Sequence, residues 1–349
     1  MLNKHLLEKK FKISNLDYKI KTKVFKIDQS KINEGLNLFD EIIAIKDNLK
    51  NVIFYDRKCD HSGGKLINTS NQQIICPLHG WRFDPYSGQY TNVKISKKKL
   101  KYNYNGKFYK VIIEQEIPYI KNKNKNHKIK VEFLNHACIY IKSENLKFAT
   151  DPWLIGPAFS TGWYLSKKTS TDAFEKLNKC DFIYISHNHP DHLHPLTLSK
   201  LRKDMIFITP NFKSSSTENF LSSLGFTNII TFDFNKKYLI KNFNFTILKS
   251  GDFRDDSGLL FNIGNFKALF TVDSNFLNFN KLPSRLTLLA SSFAGGASGF
   301  PLCFDNISLL NKKKILKRNI DAIKLLNENI LKITKPKFFL PYAGFFSEK

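Results

Sequence analysis

Four residues in the first quarter of the chain have the types and spacing to hold a metal cluster. Cys59-Asp60-His61 is a Cys-x-His pair, and Cys76-Pro77-Leu78-His79 is a Cys-x-x-His pair, with residues 62–75 between them. Two thiolates on one iron and two imidazoles on the other form the ligand set of a [2Fe-2S] centre of raised potential. Neutral imidazole replaces anionic thiolate there, so the reduced cluster carries less excess negative charge. Gly63, Gly64 and Gly80 allow tight backbone geometry that a Cβ would obstruct. A zinc ion also accepts two Cys and two His, but its common motifs place Cys with Cys and His with His. Here each short segment offers one of each.

A second constellation stands in the middle of the chain. His187-Asn188-His189-Pro190-Asp191-His192, followed by His194, leaves the run Asp181-Phe182-Ile183-Tyr184-Ile185-Ser186. That run is short, apolar and rich in β formers, as a buried strand is. Several potential ligands at the exit of one rigid strand can converge on one or two metal ions. A solvated histidine-rich turn is the bland alternative. No histidine follows His194. His136-Ala137 falls between two earlier strands and is as consistent with the core as with the site.

The elements that position these residues divide the chain in two. Val52–Tyr55 reads as a strand entering the first Cys-His segment, Gln73–Ile75 as one entering the second, and Lys107–Ile113 as a later strand. The alternating Lys and Asn from Lys121 to Asn126 reads as a solvated linker. The expected division is a β domain with an N-terminal extension over 1–118, a linker over 119–130, and a metal-binding domain over 131–349. In the second domain, strands are expected at Lys130–Leu134, Cys138–Ile141, Lys147–Asp151, Met205–Ile208, Ile229–Phe232, Phe243–Leu248, Gly258–Ile263 and Ala268–Val272. Helices are expected at 172–180 and Ser216–Leu224. Leu316, Ile320, Ile323 and Ile330 form a helical stripe that predicts packing against a sheet, and Phe338–Leu340 a last strand. The fold class is therefore α+β in two domains, the second layered with helices over sheets.

Composition narrows the partners. At 42% hydrophobic and 14% aromatic residues, the chain is globular rather than disordered. No apolar run approaches the roughly 18 residues of a membrane span, and the lysine-dotted N-terminus lacks a secretory signal's apolar core. Five cysteines, only two of them in the Cys-His pairs, are not a disulfide framework; the expectation is a reducing cytoplasm. The formal charge of +25 suits an anionic nucleotide or an acidic electron donor. The lysines are spread throughout and no nucleic-acid module is recognisable, so nucleic acid is not expected.

With Trp81-Arg82-Phe83-Asp84 and Ser87-Gly88 following the second pair, the first domain resembles the oxygenase-type Rieske family. The His-x-His-x-Asp-His pattern resembles the metallo-β-lactamase superfamily, which implies an αββα sandwich with metals at one sheet edge. That resemblance implies Asp273 as a metal-bridging carboxylate, places Asp252 where another ligand His would stand, and places Ala343 where a last ligand His would stand. The set it leaves is His187 and His189 with Asp252 or Asp273, and Asp191 and His192 beside them as further ligands or as catalytic groups. Two His and one carboxylate with open positions is a non-haem Fe(II) set, so one mononuclear iron is expected, with zinc as the alternative.

The combination of the two domains resembles the CMP-N-acetylneuraminic acid hydroxylase family. The likeness is carried by Asp151–Phe159 with Gly162-Trp163, by Ile183–Leu193, by Phe293–Pro301 and by Pro341–Phe346, including Ala343. Asp252 departs from it, and the animal members continue well beyond Phe346. The resemblance implies an O₂-dependent monooxygenase acting on an anionic nucleotide sugar. It also implies electrons delivered by a small carrier protein, a b-type cytochrome or a ferredoxin, with an NAD(P)H reductase. A metal-dependent hydrolase, phosphodiesterase-like and with the Rieske unit as a redox module, is the alternative. A pure electron-transfer or structural protein is the third reading. The glycine-rich run 293–301 suits a bound phosphate or a tight loop; Trp153, Phe159 and Trp163 suit base stacking or core packing.

Overall fold

The computed structural model describes residues 14–15, 18–61, 63–69, 73–78, 80–118, 128–251, 255–274, 276–294 and 304–348. The chain forms two compact units: residues 17–120 with 278–280, and residues 1–16, 121–277 and 281–349.

The first unit is built from three small antiparallel sheets. One contains Gly35–Leu38, Ile42–Lys46 and Val52–Asp56; a second contains Ile67–Asn68, Ile74–Ile75, Arg82–Asp84 and Gln89–Tyr90. The third pairs the eleven-residue strands Tyr18–Asp28 and Phe108–Pro118, with Lys101–Tyr104 at its edge. Alternation in Ile42–Lys46 splits the unit's apolar content. Ile43 and Ile45 face a core with Tyr55, Cys59, Cys76 and Phe83, while Ile42 and Ala44 face another with Phe54, Tyr109 and Val111. Cys59 lies beyond the end of Val52–Asp56 and Cys76 directly after Ile74–Ile75, so each cluster segment hangs from a buried strand.

The second unit is a sandwich. A six-stranded sheet runs in the order Lys130–Asn135, Cys138–Lys142, Lys147–Thr150, Phe182–Tyr184, Ile206–Pro210, Asn228–Phe232, and its last four strands are parallel. A seven-stranded sheet runs Ser14–Asn15, Lys237–Ile240, Phe243–Lys249, Ser257–Ile263, Phe266–Phe270, Leu288–Ser292, Phe338–Tyr342. Between the sheets lies a Phe-rich core in which Phe148 and Phe243 stand 4.9 Å apart, centroid to centroid, and Phe243 and Phe261 stand 5.3 Å apart. The run Phe182-Ile183-Tyr184-Ile185 serves both faces of its sheet. Phe182 and Tyr184 enter the inter-sheet core, whereas Ile183 and Ile185 enter a second core with Ala173 and Leu177 of the helix Ala173–Asn178 and Leu221 of the helix Ser216–Ser223. On the outside of the other sheet, the helix Leu309–Thr334 buries Leu326, Asn327, Ile330 and Thr334. The arrangement is αββα.

Two expectations change. The stripe Leu316–Ile320–Ile323–Ile330 docks only at its end: Ile330 is inaccessible, while Ile320 is 59% exposed. Phe338–Tyr342 is not the last strand, because Phe346–Glu348 follows and pairs with Trp163–Leu165. No helix among the described residues is long and apolar enough to cross a membrane.

Phe243 is inaccessible and borders Phe148, Phe182, Phe245 and Phe261. Phe243→Ala is expected to destabilise the second unit by about 3–5 kcal/mol, the usual cost of such a cavity. Chemical denaturation followed by tryptophan fluorescence measures this.

Candidate metal centres

The first unit presents its two cysteines on matching turns. Cys59 O accepts from Gly63 N at 2.8 Å, and Cys76 O accepts from Gly80 N at 2.9 Å. Gly63 and Gly80 both lie in the left-handed region, at φ 71° and 70°, which glycine adopts without steric cost. The two turns meet at Gly64, where an added Cβ would stand 2.7 Å from Cys76 Sγ. Both thiols are buried, and the His61 ring stacks on Trp81 at 4.8 Å and 9°. Burial pushes the His61 imidazole pKa down, favouring the neutral form that ligates iron. His79 lies outside the described residues. The buried thiols, the neutral imidazole and the space kept by Gly64 fit a [2Fe-2S] cluster, with Cys59, His61 and Cys76 as holders on this geometry. Gly64→Ala is expected to abolish the cluster's visible absorbance while far-ultraviolet circular dichroism stays unchanged.

In the second unit the candidate residues collect at the carboxyl ends of strands. Asp151 follows Lys147–Thr150, His187 to His192 follow Phe182–Tyr184, and Asp273 follows Phe266–Phe270. Two groups of three donors result, each with its ligand atoms within 4.8 Å of one another: His187, His189 and Asp273; and His136, Asp191 and His192. In the first, His187 Nε2 lies 2.8 Å from His189 Nδ1 and 3.8 Å from Asp273 Oδ2. In the second, Asp191 Oδ2 lies 3.0 Å from His136 Nε2 and 3.2 Å from His192 Nε2. His192 Nε2 also lies 3.5 Å from Asp273 Oδ2, which brings the two groups side by side.

The residues around them fix the donors. Asp151 accepts from Ser186 N at 2.7 Å and reaches within 3.4 Å of His192 Nδ1. His187 Nδ1 faces Ser186 Oγ at 2.9 Å and Asp256 Oδ1 at 3.5 Å. Val272, a β-branched residue at φ 54°, donates its N–H to Tyr342 Oη at 2.9 Å and so sets the direction of Asp273. His136, Asp151 and Ala343 are likewise at positive φ. Strained backbone of this kind persists where surrounding structure over-determines it, at sites more than elsewhere.

Charge is concentrated at buried positions. Burial alone would raise the Asp191 carboxyl, but His192 and His136 beside it hold it well below the usual carboxylate range. Burial would lower His192, but the Asp191 and Asp273 carboxylates hold its imidazole well above the usual range. Burial pushes the Asp151 carboxyl up despite His192 and the Ser186 N–H. Both ring nitrogens of His192 and Asp191 Oδ1 are buried without an aligned hydrogen bond among the described residues. Buried polar atoms left in this state fit a cation.

The structure places the residues singled out from the sequence as follows. His187, His189 and Asp273 come together as one set, and Asp191 and His192 stand beside them. Asp252 lies outside the described residues, as does 295–301 of the glycine-rich run. His194 is not a donor here: its Nδ1 caps the helix Pro195–Leu198 through Thr197, and its Nε2 meets Pro157 O. Trp153 and Trp163 pack with Ala158, and Phe159 borders them, as core. The donor that sequence reasoning did not assign is His136. Its carbonyl accepts from Ala343 N at 2.9 Å, so this histidine adjoins the position where a last ligand His is missing.

Comparison with known proteins agrees with both units. Residues 21–104 match the Rieske [2Fe-2S] domain, and residues 130–268 match the Beta-lactamase superfamily domain. The cytidine monophosphate-N-acetylneuraminic acid hydroxylase of Gorilla gorilla gorilla is 30% identical over 92% of this chain and 58% of its own length. That of Xenopus laevis is 32% identical over 83% of this chain and 53% of its own. The chain is a Rieske and β-lactamase-superfamily protein related to these hydroxylases. It spans less than two thirds of their length. Among solved structures, CmlA, a diiron beta-hydroxylase from Streptomyces venezuelae, is 18% identical over 65% of this chain and 46% of its own, with a TM-score of 0.44. An isothiocyanate hydrolase from Delia radicum gut bacteria is 16% identical over 63% of this chain and 98% of its own, with a TM-score of 0.38. Likeness at that level assigns no chemistry to the chain.

His136 and His194 are both buried histidines with different expected roles, and two substitutions separate them. His136→Ala is expected to lower the metal bound by the second unit. His194→Ala is expected to leave metal content unchanged and cost about 1 kcal/mol, as loss of a helix cap does. Elemental analysis and thermal melting of both variants check this.

Proposed function

We propose that this protein is an O₂-dependent hydroxylase of CMP-N-acetylneuraminate or a related anionic nucleotide sugar, supplied with electrons by an external carrier and reductase. The observation that supports it most is a two-histidine, one-carboxylate set, His187–His189–Asp273, in a chain that also carries a one-electron Rieske unit. Hydrolysis requires no electron and gives that unit no task, whereas oxygen activation requires electrons one at a time. The electron donor is a small b-type cytochrome or ferredoxin with an NAD(P)H reductase, and the setting is the cytoplasm.

The donor set suits iron; zinc is the alternative. His187, His189 and Asp273 would hold an iron that activates oxygen, and His136, Asp191 and His192 offer a neighbouring place for a second ion. The chain's own residues supply position and charge. Asp151 and Asp256 each face the Nδ1 of a ligand histidine, which orients the ring and raises its basicity. With no ion in that second group, His192, flanked by Asp191 and Asp273, can hold a proton instead. Burial of Asp191 and His192 excludes bulk water, so these electrostatic interactions act at low dielectric.

A second reading is a metal-dependent hydrolase, which the β-lactamase-superfamily match over 130–268 favours. Incubation of reconstituted protein with CMP-sugars, reductant and labelled O₂ distinguishes the two. The expected outcome is label in a hydroxylated product, none with Cys59→Ser, and loss of iron beyond the cluster in His187→Ala/His189→Ala. Turnover without oxygen or reductant, or zinc filling the second unit with iron only in the cluster, would sink the proposal.

A further inference from the structure

The loop between the first two cluster ligands carries a charge network that ligation itself does not need. Asp60 stands between Cys59 and His61, and its carboxylate oxygen Oδ2 accepts from Tyr90 Oη at 2.8 Å. Asp60 N in turn donates to Tyr90 Oη at 3.1 Å, which locks the loop on one phenol. The same Oδ2 accepts from Lys97 Nζ at 3.1 Å. Lys97 is a lysine whose side chain is 1% exposed, and its ammonium also meets Asp56 Oδ1 at 2.9 Å and the carbonyl of Lys58. One buried cation is therefore held by the residues on both sides of Cys59. Tyr90 continues the contact sideways, edge-on to Trp81 at 5.1 Å, and Trp81 carries the His61 ring.

A buried lysine is rare because desolvating an ammonium costs several kcal/mol unless it is fully opposed. A methionine would fill the same space without that cost. Reduction of a [2Fe-2S] cluster adds one electron beside this network; the buried Lys97 stabilises the added charge, while Asp60, its side chain 39% exposed and so partly screened, opposes it. We propose that Lys97 and Asp60, positioned by Tyr90, act as paired and opposing determinants of the cluster's reduction potential: Lys97 raises it and Asp60 lowers it. They are tuning residues, not ligands. The inference rests on the cluster being bound at Cys59, His61, Cys76 and His79.

The test is a potentiometric titration of the purified full chain, followed by visible absorbance and electron paramagnetic resonance. Lys97→Met is expected to lower the reduced-to-oxidised ratio at fixed potential about tenfold, which is about 59 mV for one electron. Asp60→Asn keeps an acceptor for Tyr90 and is expected to raise that ratio by a similar factor. Tyr90→Phe changes no charge and is expected to move it less than either. The double variant Lys97→Met/Asp60→Asn should return near the unsubstituted protein. Shifts of one sign for both single variants, or no shift, would overturn the proposal, since loop loosening has no reason to follow charge. If Lys97→Met fails to load a cluster, Asp60→Asn and the double variant carry the test. Failure of all three to load assigns the network to folding alone and overturns it as well. Absence of a cluster spectrum in the unsubstituted protein would instead overturn the cluster assignment.

Discussion

The second unit depends on how it tolerates charge at buried positions. Asp151, Asp191, His136, His187 and His192 are all buried at one edge of the sandwich. An isolated ion in such a place costs many kcal/mol, and removing one partner of a buried set leaves the other uncompensated. The groups are accordingly opposed: Asp191 lies against two imidazoles, and His192 against three carboxyl groups within 3.5 Å. That opposition is geometric, and geometry is what the strand ends supply. Parallel strands deliver Asp151 and His187 side by side, and the adjoining sheet delivers Asp273 to the same edge.

Holding those groups in place imposes strain. His136, Asp151, Val272 and Ala343 all sit at positive φ without being glycine, and strain of this kind costs on the order of 1–3 kcal/mol per residue. The Phe-rich core between the sheets and the helix-side core behind Ile183 and Ile185 are what make it sustainable. Close packing there leaves the strand ends little room to relax, so the loops they carry cannot relax either. The cluster turns of the first unit solve a similar problem with different means. They place glycine at the left-handed positions and avoid the strain, because both cysteines are set by short local segments that sequence can specify residue by residue.

That difference governs what was legible in the sequence. The Cys-x-His and Cys-x-x-His segments act within a few residues, so their spacing carries their geometry. The His187–His192 run was legible for the same reason, and Asp273 only through a family pattern. His136 was not, because its role depends on a hairpin turn more than 50 residues before its partner Asp191. His194 follows the histidine run in sequence without belonging to the ligand set, and its ring turns back to cap a four-residue helix. Periodicity misled in the helix Leu309–Thr334, where the apolar stripe runs the length of the helix but only Leu326 onward finds a sheet to cover.

The relation of His136 to Ala343 shows where such limits come from. A ligand set is defined in space, and a strand end can lose a histidine if a neighbouring backbone brings another into reach. Ala343 N donates to the carbonyl of His136, so the two positions are fastened together by one backbone hydrogen bond. The side chain that reaches Asp191 is that of His136, at 3.0 Å. Reading Ala343 alone suggests that the second donor group is incomplete. Reading it with the hairpin that leans on it gives three candidate donors, two from the histidine run and one, His136, that the motif does not include.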